Sequence, residues 1–249
     1  MWRPPPSRPQ GVSSTGCTPW TAIAGIFRLG DRIQRNADTL TQTDLVPNNH
    51  GGGMWMGGGG PAADAAGSVY VISGNGFGDT PGTNSYGNSF VRLTNSGGLK
   101  VADYFTPYNT IAEDNGDVDF GSAAPLLLLD MLDPNGITLH LALGAGKDGN
   151  LYVVDRDNMG QFNATKNDVY QQIQISSYEN HSSPIFFNGA VYICPTGDTL
   201  KAFTVTKAQL GTSPSSQSSH VFGSNGAVPQ LLVYWLLRTA SRTRVLRNS

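Results

Sequence analysis

Ser182-Ser183-Pro184-Ile185-Phe186, then Ala190-Val191-Tyr192-Ile193-Cys194, then Thr199-Leu200-Lys201-Ala202-Phe203-Thr204-Val205 reads as three short β-strands in succession. Each is rich in β-branched or aromatic residues, and Asn188-Gly189 sits between the first two as a hairpin turn. The same order occurs twice earlier. Ser122-Ala123-Ala124-Pro125-Leu126 leads to Thr138-Leu139-His140-Leu141-Ala142-Leu143-Gly144 and Asn150-Leu151-Tyr152-Val153-Val154-Asp155. Gly60-Pro61-Ala62-Ala63-Asp64 leads to Ser68-Val69-Tyr70-Val71-Ile72-Ser73-Gly74 and Ser89-Phe90-Val91-Arg92-Leu93. A looser fourth strand follows each copy, around Val101 to Phe105, Val169 to Ile175 and Val221 to Phe222. The three prolines are 64 and 59 residues apart. Four short strands per unit at that period predict an all-β chain built as a partial β-propeller of three four-stranded blades.

Working outward, the blades span residues 51–107, 117–175 and 181–225, within a repeat region of 36–228 whose first residues read as the end of a preceding blade. Three blades do not close a ring, since propellers use roughly four to eight and closure is what protects their sheet edges. The expected consequence is self-association through exposed blade edges. Gly74-Asn75-Gly76, Pro81-Gly82 and Asp148-Gly149 are turn signals. No long helix is expected; Lys207 to Leu210 reads as a single helical turn.

The chain has 249 residues, of which 14% are charged, and a net charge of −2. That figure hides a split. Residues 36–228 hold 7 basic and 17 acidic side chains, whereas the two flanks hold 9 basic and 1 acidic. Residues 1–35 are irregular and rich in Pro and Arg. Residues 229–249 run from Leu231-Leu232-Val233-Tyr234-Trp235-Leu236-Leu237 into Arg238, Arg242, Arg244 and Arg247. Three readings fit such ends: a basic amphipathic anchor, plain disordered tails, or segments translated out of frame, the last because residue usage changes abruptly at both borders. Neither apolar run has the position of a signal peptide or the length to cross a bilayer. Nucleic-acid binding is not expected, because the basic residues lie outside the repeat region. Cys17 and Cys194 form no disulfide framework and no zinc site.

Three stretches resemble the quinoprotein-like β-propellers, the superfamily of pyrroloquinoline quinone (PQQ) dehydrogenases and their non-enzymatic PQQ-like repeat relatives. They are Gly53-Met54-Trp55-Met56 with Gly57 to Asp64 and Val69 to Gly76, Asp117-Val118-Asp119-Phe120-Gly121-Ser122, and Gly146-Lys147-Asp148-Gly149-Asn150-Leu151-Tyr152-Val153-Val154-Asp155-Arg156. The first is similar to exported bacterial repeat proteins of unsettled activity, which implies a periplasmic or secreted location. The resemblance implies PQQ and calcium as cofactors, with Trp55 and Lys147 as candidate quinone contacts. The chain departs from the dehydrogenases in lacking a Cys-Cys pair and a full ring. The expected function is therefore a non-catalytic binding or scaffolding domain, a fragment of a larger repeat protein. Part of a PQQ-dependent alcohol or sugar dehydrogenase is the alternative.

Glu113, Asn115, Asp117 and Asp119 form the densest set of oxygen donors, and their alternation would put them on one side of an extended strand. They read either as calcium ligands or as a solvated loop whose carboxylates accept turn amides. Lys147 likewise reads as a quinone contact or as a surface residue beside a hairpin. Asp155-Arg156-Asp157 reads as a local ion-pair network. His50, His140, His181 and His220 are isolated in sequence, and no serine has a hydrolase setting.

Overall fold

The computed structural model describes residues 51–76, 84–94, 98–224 and 226–230. The readings made for both flanks, for residues 36–46 and for Pro81-Gly82 lie outside these residues, apart from 229–230. Three antiparallel meanders follow one another along the chain. The first sheet comprises β1 (Ala62–Ala63), β2 (Val69–Ile72), β3 (Phe90–Thr94) and β4 (Lys100–Thr106), hydrogen-bonded in that order. A short helix α1 (Thr110–Gly116) and a 3-10 turn (Phe120–Ser122) connect it to the second. That sheet contains β5 (Leu126–Leu127), β8 (Leu141–Ala145), β9 (Asn150–Asp155) and β11 (Gln171–Gln174). A small hairpin, β6 (Met131–Leu132) and β7 (Thr138–Leu139), is inserted between β5 and β8, and β10 (Gln161–Phe162) adds to β4 in parallel. The third sheet comprises β12 (Ile185–Phe187), β13 (Ala190–Ile193), β14 (Thr199–Thr206) and β16 (Ser216–Val221), with β15 (Gln209–Leu210) folded back on the end of β14. The chain is thus mostly β, in separate antiparallel sheets, and none of them closes on itself.

Alternation along each strand decides which sheets meet. In β8, Leu141, Leu143 and Ala145 join Val191, Ile193 and Phe203 of the third sheet in one apolar cluster. The intervening Ala142, with Tyr152 and Val154 from β9, joins Tyr70, Ile72, Phe90 and Phe105 of the first sheet. The second sheet is therefore buried on both faces, which is why β8 and β9 read as continuous apolar runs rather than alternating ones. Phe105, Phe120 and Tyr152 form an aromatic triangle between the first two sheets, with ring centroids 5.1–6.1 Å apart.

The proline-led segments that open the three sheets meet at one point. Gly57 N–H donates to the Ser122 carbonyl at 2.9 Å, and the Ser183 hydroxyl donates to the Gly57 carbonyl at 2.8 Å. The same Ser183 oxygen accepts Ala124 N–H at 2.9 Å. Such close backbone approach requires glycine, because a Cβ on Gly57 would lie 2.2 Å from the His181 carbonyl oxygen. Gly57→Ala is expected to lower stability by about 1–3 kcal/mol, as other overpacked sites do. A shift of the urea midpoint with unchanged slope is the measurement, and an unchanged midpoint would contradict this junction.

Turn chemistry follows the sequence at Asn188-Gly189, where both residues have positive φ (47° and 75°) and join β12 to β13. Lys207 and Ala208 do the same between β14 and β15, with φ of 50° and 64°. The helical turn expected there is instead a tight hairpin. Without glycine or asparagine, nothing local announces it. The strand expected over Thr138 to Gly144 is interrupted at His140, whose side chain turns outward to Asp157 at 2.7 Å.

Candidate functional site

The acidic stretch 113–119 does not form the extended strand its alternation suggested. Residues 110–116 are helical, so Glu113 and Asn115, two positions apart, fall on opposite sides. Glu113 is buried and Asn115 is exposed. The helix stops at Asp117, which takes a left-handed conformation (φ 57°) and returns its N–H to the helix carbonyls. The four nominated oxygen donors are thereby dispersed. Among the described residues no group of three or more His, Cys, Asp or Glu side chains is placed to hold a metal ion.

Asp117 and Asp119 converge on Lys147, which arrives from the turn joining β8 to β9. Lys147 Nζ lies 2.6 Å from Asp119 Oδ2, 3.3 Å from Asp117 Oδ2 and 2.9 Å from the Asp117 carbonyl oxygen. The side chains of Lys147 and Asp119 are only 15% and 10% exposed, so this is a largely buried pair rather than the surface lysine that a hairpin flank suggests. Burial by itself would lower the lysine's pKa. The hydrogen bond and charge of Asp119, helped by Asp117, outweigh it and hold the ammonium above its ordinary value. Lys147 is therefore a fixed cation, with no capacity to act as a base near neutral pH.

Two asparagines complete the arrangement. Asn75 N–H donates to Asp119 Oδ1 at 2.9 Å, and its amide donates to Asp117 Oδ1 at 3.1 Å. Asn88, wholly buried in the left-handed region (φ 44°), donates to Asn75 Oδ1 and to Asp114 Oδ1 at 3.0 and 2.8 Å. Its own carbonyl oxygen accepts Phe120 N–H at 2.9 Å. This network binds the end of the first sheet to α1 and to the β8–β9 turn. Asn75 is legible in sequence only as a turn residue between two glycines, and Asn88 carries no sequence signal.

Glu113 points inward from α1, where neither carboxyl oxygen has a hydrogen-bond partner. Burial, with the negative charges of Asp148 and Asp114 behind it, pushes its pKa up to about 8. Asp148 is engaged by the Tyr152 hydroxyl at 2.6 Å and the Asn150 amide at 2.7 Å. Burial first, then the Asp148 charge, raises the Tyr152 pKa as well. At neutral pH the result is a neutral acid beside an ionised, fully bonded carboxylate.

Trp55 is 69% exposed and lies over its own loop, where a Cβ on Gly53 would touch its ring at 3.0 Å. It is not brought against a second wall that could sandwich a planar ring. Together with the engagement of Lys147, this means that the described residues do not assemble the quinone clamp implied by resemblance. The Asp155-Arg156-Asp157 run is not a local network either. Arg156 reaches Asp64 at 3.7 Å and Asp130 at 3.6 Å, in other strands and loops, while Asp157 takes His140. Among the described residues no helix is long and apolar enough to cross a membrane.

Compared with known proteins, the chain matches no family model and no curated sequence.

Proposed function

We propose that this chain is a non-catalytic binding or scaffolding domain, a fragment of a PQQ-like β-propeller protein exported from the cytoplasm. In this reading the three meanders are successive blades, and the Gly57 junction lies where their innermost strands approach the propeller axis. The observation that carries the proposal is the state of Lys147. The one cation that resemblance would aim at a quinone is held by Asp119 and Asp117. These carboxylates are themselves tied to Asn75. Groups so fully satisfied rigidify a fold and leave no lone pair or proton for a reaction. Three repeats, their lead-in segments and the resemblance agree on architecture, while activity rests on a site and not on a scaffold.

Dye-linked oxidation of short alcohols and aldoses, with PQQ and calcium added to the purified chain, tests the reading. The expected rate equals the protein-free blank, with no saturable quenching of tryptophan fluorescence by PQQ. A rate that requires both additions would overturn the proposal and establish the dehydrogenase alternative.

A further inference from the structure

The third sheet covers the second with one face only. Val191, Ile193 and Phe203 point to the second sheet, and strand alternation sends the residues between them to the far side. Register identifies that far face. Ile185 pairs with Tyr192 and Tyr192 with Ala202, while Phe187 pairs with Ala190 and Ala190 with Thr204. Cross-strand partners share a face, so these six side chains form one surface. Phe187 is 47% exposed, Thr204 is exposed, and Ile185 and Tyr192 are half-buried. Within β12, β13, β14 and β16 every Lys, Arg, Asp or Glu is accounted for by Lys201, which points the other way to the Ile175 carbonyl and Asp198. The far face is therefore without formal charge, on a repeat region that is otherwise acidic.

We infer that this face is the contact between two copies of the chain, packed sheet on sheet about a two-fold axis. An uncharged apolar face is complementary to itself: a second copy brings no like charges and buries Phe187, Tyr192 and Ile185 against their equivalents. Growth beyond two copies is blocked. The outer face of the first sheet is already occupied, since Val69, Val71, Val91 and Leu93 are all buried, with Met54, Tyr86, Leu99, Val101 and Tyr104 packed against them. A head-to-tail contact would need that face open. Four strands spaced by about 4.8 Å and some five residues long present about 400 Å² per copy. That is about half of a standard interface side, so the dimer is a weak one of micromolar strength.

Sedimentation velocity of the full chain, from low micromolar to several hundred micromolar, tests this. The expected result is a monomer that shifts to twice its mass as concentration rises. Phe187→Lys and Thr204→Lys, both at exposed positions, should each weaken association by about tenfold or more, close to 1.4 kcal/mol. Ser219→Lys, on the same sheet's outer strand but on the opposite face, should leave it unchanged. A single monomer mass at every concentration overturns the inference, as does growth past the dimer. So does association that Ser219→Lys abolishes and Thr204→Lys leaves intact, which would mean edge pairing of β16 instead.

Discussion

Replacing Lys147 by methionine is expected to destabilise the protein by about 3–5 kcal/mol at pH 7, the usual cost of breaking a buried ion pair from one side. The reason lies in what remains. Asp119 would keep its contact with Asn75 N–H but lose the ammonium 2.6 Å from its other oxygen. Its side chain is too buried for water to replace that charge. Asp117, with 78% of its side chain exposed, would lose little by comparison. The double change Lys147→Met with Asp119→Asn should recover about half of the loss, because the neutral amide still accepts from Asn75 N–H and no longer needs a counter-ion. Urea unfolding of the four proteins gives the coupling directly. A single Lys147→Met variant within 1 kcal/mol of the parent, roughly the level of a surface pair, would show that the pair is solvated and that Lys147 is free for another partner.

Glu113 provides the second large effect, and it is pH-dependent. The folded-state pKa of about 8 lies above the ordinary 4.5. Between those two values the folded chain holds a proton that the unfolded chain has released. Stability from this group is thus present in full below about pH 4.5 and falls as pH rises through the folded pKa. Glu113→Gln removes the titration while keeping the shape. Parent and variant should be similar in stability near pH 5. By pH 9 the variant should be the more stable by on the order of 3 kcal/mol, since every tenfold change in proton affinity between the folded and unfolded chains is worth about 1.4 kcal/mol. Urea midpoints of the two proteins across that range are the measurement; parallel curves would place Glu113 in contact with water. The structural reading of a loss at high pH is that an ionised Glu113 repels Asp148 and loosens α1 from the β8–β9 turn.

Much of the β framework is written directly in residue order. Val191 and Ile193 announce β13 by their spacing, Asn188-Gly189 announces the turn before it, and Asp148-Gly149 announces the turn before β9. In each case the signal is local, because a two-residue turn and an alternating strand are decided by steric and packing preferences of adjacent residues. The acidic cluster departs from its expected form for the converse reason. Seven helical residues, Thr110–Gly116, are too few to display a helical period, and Asn109 makes no side-chain cap to mark their start. Docking against the hairpin of Asp148 and Tyr152, 30 to 40 positions away, is what makes Glu113 an inward residue. The hairpin at Lys207-Ala208 has no sequence signal, because left-handed turns without glycine or asparagine depend on the flanking strands to enforce them.

The sequence by itself determined that this chain is β-rich, built of three similar four-stranded units, each led in by a small residue and a proline. It also determined the charge contrast between that region and its flanks. Only the tertiary structure decided that Lys147 faces Asp117 and Asp119, that Asn75 and Asn88 lock those carboxylates, and that the Glu113 carboxyl lies in the interior without a hydrogen-bond partner. It likewise decided which face of the third sheet stays open. The division has one physical cause. Strand and turn formation follow from neighbours along the chain, whereas the charge state and availability of a side chain depend on burial and on partners brought together from distant positions.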